Sequence, residues 1–303
     1  MSLRLFIVGA QGQVAQALRE VAIGDPDLVI GYAARPELDL MRPETVAPII
    51  DAFRPDVVIN PAAYTNVDKA ESEPDVAFAI NRDGAAAVAA AAAAAGAPII
   101  QLSTDYVFDG TKQAPYLETD PPAPQGVYGR SKLEGEAAVA AANPRQVILR
   151  TAWVYAPFGA NFVRTMLRLA QDRDRLRVVD DQVGNPTYAV DLATGILAIS
   201  RQIAGQAWRP HFAGVTHVAG PQAVSWCGFA RQIMAGLAAR GGKAAVVDAI
   251  TTAEYPTPAS RPANSRLSAE RLKGVFGLEQ PPLTASLDAC LDRLVGPAHN
   301  FGD

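Results

Sequence analysis

Short, unbroken hydrophobic runs alternate with longer helix-forming stretches through the first half of the chain. Leu3–Val8, Leu28–Tyr32, Val57–Asn60, Ile99–Ser103 and Val147–Arg150 read as strands, each a brief run rich in Val, Ile and Leu. Gln13–Val21, Arg42–Phe53, Pro74–Ala95 and Tyr128–Ala142 read as the helices between them. Strand, helix, strand repeated in this way predicts an α/β fold, a parallel sheet covered by helices on both faces. Strands buried on both faces need no polar alternation, and none is present.

Beyond residue 150 the rhythm loosens. A helix is expected over Asn161–Gln171, a short strand over Leu176–Asp180 and another helix over Ala189–Ile203. Ser225–Arg240, Ser268–Val275 and Leu283–Leu294 carry helical patterns, while the proline-rich Tyr255–Pro262 reads as an ordered loop. The expected division is a larger domain over residues 1–150, with 186–220 returning to it. A smaller, discontinuous α/β domain would be assembled from 151–185 and 221–303. No internal repeat is visible.

Composition removes several classes of function. A length of 303 residues holds a sizeable core, and a net charge of −4 leaves no basic footprint for nucleic acid. Cys227 and Cys290 are too few for a disulfide framework and lack metal-ligand spacing. His211, His217 and His299 are scattered, so no zinc site is expected. The apolar start Leu3–Val8 is interrupted at once by glycines and polar residues. The alanine tract Ala85–Ala95 is a strong helix former and too weakly apolar for a membrane span. A cytoplasmic location with no membrane partner is the expectation.

Gly9-Ala10-Gln11-Gly12-Gln13-Val14-Ala15 lies between a predicted strand and a predicted helix. Gly9 permits a tight turn, Gly12 lets backbone N–H groups approach a pyrophosphate, and Ala15 is small enough for close helix–strand packing. In that context the loop predicts dinucleotide binding and a Rossmann-like, doubly wound sheet. No acid follows on Val29, Ile30, Gly31 or Tyr32 to meet an adenine-ribose hydroxyl, whereas Arg35 suits a 2′-phosphate. A solvated loop arginine would look the same, so the cofactor stays open between NADPH and NADH. Asp39 and Leu40 are placed at the adenine end. Ala62, Ala63, Tyr64 and Thr65, after a further strand, are placed along the cofactor.

Tyr128 and Lys132 are four apart on a predicted helix and therefore share a face. A free phenol, with a pKa of about 10, is a poor proton source and sink at neutral pH. An ammonium one turn away favours the phenolate. Thr104, ending a strand, supplies a hydroxyl to hold an oxygen being reduced. Alone, a Tyr-x3-Lys pair is an ordinary surface feature, and it is the surroundings that give it weight.

With these motifs, Ser103–Gly110, Arg150–Tyr155, Asp181–Thr187 and Arg261–Leu267, the chain resembles the extended short-chain dehydrogenase/reductases. Within them it is similar, over most of its length, to the reductases of dTDP-linked 4-keto-6-deoxysugars that complete dTDP-L-rhamnose synthesis. The resemblance implies that Tyr128 donates a proton to the sugar C4 oxygen. Lys132 would lower the Tyr128 pKa and bind the nicotinamide ribose. Thr104 would bond the C4 carbonyl, with Asp105 and Tyr106 close to the sugar. It places Trp153 against the deoxysugar face, and Asn161 and Arg266 near the base and diphosphate. Some relatives dimerise through a metal held by acidic residues. Ala15 stands where such an acid would lie, so no structural metal is expected and a homodimer stays open.

Two other functions fit the same motifs. An epimerase or dehydratase would act on a nucleotide sugar, but the dehydratases put Asp-Glu after the threonine, where Asp105-Tyr106 stand here. A non-catalytic subunit, like the one regulating methionine adenosyltransferase, would keep the nucleotide fold without turnover. The intact Thr104, Tyr128 and Lys132 set argues for catalysis.

Overall fold

A computed structural model describes residues 2–298 of the chain, so His299 lies outside the described residues. The first half holds strands β1 (Leu3–Val8), β2 (Leu28–Ala33), β3 (Val57–Asn60), β4 (Ile99–Thr104) and β5 (Gln146–Thr151). Helices α1 (Gln13–Val21), α2 (Val46–Phe53), α3 (Val67–Ala70), α4 (Pro74–Phe78), α5 (Ala85–Ala94) and α6 (Val127–Ala142) lie between them. The predicted strands recur within one residue at each end.

The alanine-rich helix departs from expectation. It runs on from α4 to α5 but widens into a π-type turn over Ala79–Gly84. Two tertiary demands account for that turn. A Cβ on Gly84 would strike Leu40, and Asn81 bonds both to Tyr64 and to Ser131 Oγ on α6. Pro74–Ala94 also reaches a mean hydropathy of 1.2 over its best 18-residue window, the composition of a marginal span. Its alanines pack instead with Ile50 of α2 and Val139 of α6 against the sheet.

The second half adds β6 (Val154–Tyr155), β7 (Arg175–Val179), β8 (Val183–Gly184), β9 (Thr187–Tyr188), β10 (Gly214–His217), β11 (Val224–Ser225), β12 (Val246–Ile250) and β13 (Asn264–Ser265). Its helices are α7 (Phe162–Asp172), α8 (Ala189–Ile203), α9 (Trp226–Ala238), α10 (Glu270–Phe276) and α11 (Leu283–Val295). Tyr255–Pro262 carries neither helix nor strand, as the prolines dictate. The pattern of hydrophobic positions did not reveal β10 or β12. β10 is a four-residue edge strand with Thr216 and His217 inside, and β12 exposes Val246.

The main sheet runs β10-β5-β4-β3-β1-β2, every pairing parallel. Both faces are covered, and the strand pleat divides its side chains between them. Leu5 and Ile7 face α1 and α8, whereas Phe6 and Val8 face α2 and α5. Chain progression reverses between β1 and β3, so the loops after these strands flank the crevice where doubly wound sheets bind ligands. A separate core of Tyr155, Val163, Phe229, Ile233, Leu287 and their neighbours joins α7, α9 and α11. There β7 and β12 form a parallel pair, Arg175 opposite Val246 through Val179 opposite Ile250.

Candidate active site

A cavity of about 810 Å³ opens at the carboxyl ends of β1, β3 and β4. The Gly9–Ala15 loop walls one end of it. Gly9 adopts φ +102, the left-handed region that favours glycine. Gly12 begins α1 without a side-chain cap, no acid sits in the first turn, and a Cβ built there meets no protein atom within 4 Å. The first-turn N–H groups of α1 therefore face open space with the positive end of the helix dipole behind them. That arrangement fits a pyrophosphate. Ala10, Gln11, Gln13, Val14, Arg35, Asp39, Leu40, Ala62, Ala63 and Thr65 line the same cavity. Asp39 is engaged locally: Oδ1 accepts from the Met41 N–H at 3.0 Å, and Oδ2 lies 3.5 Å from Arg42 Nε.

Thr104, Asp105, Tyr106, Tyr128, Lys132 and Trp153 line the other end. The helix carrying Tyr128 and Lys132 sits close on the turn that follows β4 because Gly129 faces the Tyr106 carbonyl, where any Cβ would clash. Lys132 Nζ donates to the Leu102 carbonyl at 2.6 Å. Thr104 Oγ1 donates to Asp105 Oδ1 at 3.0 Å and accepts from the Tyr106 N–H at 3.2 Å. The Tyr106 and Tyr128 rings meet edge to face at 5.5 Å. Trp153, in the left-handed region at φ +48, stacks on Trp226 with ring centroids 3.4 Å apart.

The chain matches the model of the RmlD substrate binding domain over residues 3–295. It is 49% identical to the dTDP-4-dehydrorhamnose reductase of Sinorhizobium fredii, over 92% of this chain and 93% of that one. The chain belongs to the dTDP-4-dehydrorhamnose reductase family. The Escherichia coli K12 reductase is 40% identical over 84% of this chain and 85% of its own length. A dTDP-4-dehydrorhamnose reductase from Bacillus anthracis, solved in complex with NADP, superposes with a TM-score of 0.88. It shares 34% identity and covers 96% of this chain and 99% of its own.

Three of the residues expected at the site stand elsewhere in this family member, each for a local reason. Tyr64 exchanges backbone hydrogen bonds with the Asn81 amide, and its hydroxyl donates to Glu73 at 2.8 Å, away from the cavity. Asn161 is the N-cap of α7, accepting from the Arg164 N–H at 3.1 Å. Its amide donates to Gln13, Ala156 and Phe158. Arg266 donates to Asn264 at 2.8 Å and to the Gln113 carbonyl at 2.5 Å.

Sequence reasoning passed over Trp226, which lines the cavity beneath Trp153, and Arg261, which lies behind the lining residue Tyr106. Arg261 pairs with Asp68 at 2.7 Å and lies 5.9 Å over the Tyr106 ring. The sequence signal for Arg261 was its place in the same C-terminal segment as Arg266. For Trp226 there was none beyond an aromatic at a helix start.

Electrostatics also corrects one expectation. Burial pushes the Tyr128 phenol above its ordinary pKa; the Thr104 hydroxyl opposes this and the Asp105 charge reinforces it. The ammonium is held on a backbone carbonyl, and burial pulls its own pKa down to about 8 against the attraction of Glu136. Burial pushes Asp105 up to about 6. Tyr128 thus stays a loaded proton donor through the neutral range, the state a reduction requires.

Proposed function

We propose that this chain reduces the C4 keto group of dTDP-4-dehydro-L-rhamnose to give dTDP-L-rhamnose, with NADPH as the reductant. The observation that carries the reading is a single cavity running from an uncapped helix N-terminus to Tyr128, Lys132 and Thr104. Bound at that loop, a reduced nicotinamide supplies the hydride. Tyr128 gives its proton to the C4 oxygen, Thr104 turns its hydroxyl proton from Asp105 to the same oxygen, and Lys132 orients the ribose and holds positive charge beside the phenol. Asp105 and Tyr106 border the sugar, and the stacked indoles of Trp153 and Trp226 offer its C–H face an apolar wall. Arg35, after an acid-free strand end, stands at the cavity rim where a 2′-phosphate needs a guanidinium.

In this reading residues 1–150 and 186–220 hold the cofactor, while 151–185 and 221–303 close over the sugar nucleotide. The test follows nicotinamide absorbance with dTDP-4-dehydro-L-rhamnose and either NADPH or NADH. Stoichiometric oxidation, faster with NADPH, is expected. Tight binding of the sugar nucleotide without oxidation would move the chain to the binding modules, and equal rates with both cofactors would remove the role given to Arg35.

A further inference from the structure

Glu136 lies one turn beyond Lys132 on the buried face of α6. The two side chains end on neighbouring residues of β4: Lys132 on the Leu102 carbonyl, Glu136 on the Ser103 hydroxyl, which donates to its Oε1 at 2.5 Å. From β5, Arg150 donates from Nε at 2.8 Å to Oε1 and from Nη2 at 2.6 Å to Oε2. Arg150 stands opposite Ser103 in the sheet register, so the clamp ties two strands to the catalytic helix. Glu136 and Arg150 are 5% and 3% exposed. A pair buried this deeply is a weak source of net stability, because desolvation offsets the attraction. What the pair touches matters more: Ser103 is bonded to the residue that carries the Thr104 hydroxyl.

We infer that Glu136 is a positioning residue for the reduction, its carboxylate holding the end of β4 against α6 and setting the charge that Lys132 meets. The inference rests on the reductase reading given above. The Glu136 charge is the one that opposes burial in keeping Lys132 an ammonium. The other groups around this point do not replace it. Tyr128 and Tyr106 have raised pKa values and remain neutral phenols, and Asp105, pushed up to about 6 and ionised where Lys132 titrates, accepts from Thr104 rather than from Lys132. Arg150 is engaged by Glu136, and His217 on β10, pulled down to about 3 by burial and then by Arg150, stays uncharged. Asn81 and Ser131, across α6, carry no charge.

Removing the carboxylate therefore lowers the Lys132 pKa below about 8. Activity that needs the ammonium then falls off at lower pH, so the alkaline limb of kcat moves toward acid. The chain's lysines are Lys69, Lys112, Lys132, Lys243 and Lys273. The Lys132 titration can thus be followed in the cofactor-free protein by lysine ¹³Cε resonances, assigned through Lys132→Arg. Two variants bear on the inference. Glu136→Gln/Arg150→Gln removes both charges together and leaves no lone buried ion. In it the Lys132 midpoint and the alkaline limb both shift to lower pH, and kcat at pH 8 falls about tenfold, short of the ~100-fold that an ångström of misplacement costs.

Glu136→Asp keeps the charge but is too short to reach both Ser103 and Arg150. It leaves the midpoint near wild type and lowers kcat. Either variant, folded, with wild-type midpoint, limb and kcat would overturn the inference, as would an Asp variant shifting as far as the double. If the double variant does not fold, the Asp variant decides alone. Wild-type protein without any reductase activity would defeat the functional reading instead, and the resonance titration would still report on Glu136.

Discussion

The two ends of the cavity are built in opposite ways. At the cofactor end the groups on offer are the first-turn backbone N–H donors of α1, which the turn at Gly9 and Gly12 presents, with small side chains beside them and open space in front. At the catalytic end they are side chains, each held by a second partner: Lys132 by Leu102, Thr104 by Asp105, Trp153 by Trp226. A backbone site needs only a local turn and a helix start, and any diphosphate satisfies it. A side-chain site needs contacts from distant segments, and its geometry is as selective as those contacts are rigid. In the proposed reading the first end takes a cofactor common to many reductases, and the second distinguishes the sugar.

The contrast is sharpest at the phenol. Tyr128→Phe removes the only proton the proposed chemistry takes from the protein while leaving the ring against Tyr106. The expected loss in kcat is about 10³-fold, with the NADPH dissociation constant within a factor of two of wild type. A loss confined to the cofactor constant would mean that the two ends are not separate in function. Gly12→Val probes the opposite end. Its Cβ meets no protein atom and its backbone, φ −65 and ψ 153, suits any residue, so the thermal midpoint should hold. NADPH affinity is expected to fall roughly 100-fold, or about 2.7 kcal/mol, because the side chain occupies the space before the helix N-terminus. Unfolding of this variant, measured calorimetrically, would show that the open space serves packing.

Trp226→Ala tests whether the sugar end depends on distant support. Trp153 sits in a left-handed backbone with its indole against Gly184, where a Cβ would stand 2.5 Å from the ring. Trp226 stacks on one of its faces. Without that cover the indole loses its orientation, and the KM for the sugar nucleotide should rise about tenfold, with NADPH binding unchanged. A KM that stays put would leave Trp153 alone as the sugar platform.

The same contrast explains what could be read from the chain. Gly9 to Ala15, and Tyr128 with Lys132, are local patterns, and sequence spacing carried them. The strands β1, β3, β4 and β5 were legible because near-continuous burial leaves an unbroken apolar run, and edge strand β2, which exposes Val29 and Tyr32, was legible from its apolar composition alone. Trp153 on Trp226 joins positions far apart in sequence, and no periodicity links them. Arg261 and Arg266 lie in one short segment, on either side of β13, and differ in the partners that hold them. Arg266 is drawn back to Asn264 and the Gln113 carbonyl, while Arg261 reaches Asp68 and Tyr106. The π-type turn at Ala79–Gly84 was hidden because its causes, the close approach of Gly84 to Leu40 and the bonds of Asn81 to Tyr64 and Ser131, come from distant segments. The expected lowering of the Tyr128 pKa rested on shared helix position, and burial of the phenol outweighs it.

The smallest expected effect concerns Asn161, where the local signal was present and the resemblance pointed past it. An asparagine directly before an amphipathic helix is an N-cap pattern, and its Oδ1 accepts from the Arg164 N–H. The amide nitrogen donates to the carbonyls of Ala156 and Phe158, which shapes the turn leading from β6, and to Gln13 on α1. Its polar atoms are therefore occupied before any sugar nucleotide arrives. Asn161→Ala should cost about 1 kcal/mol of stability, read in a denaturant titration, and change the KM for the sugar nucleotide less than twofold. Asn161→Asp keeps the capping oxygen but gives up the amide donors to the two carbonyls, so it should recover only part of that stability. A KM raised severalfold in the alanine variant, at unchanged stability, would return Asn161 to the sugar end and weaken the division drawn between the two halves of the cavity.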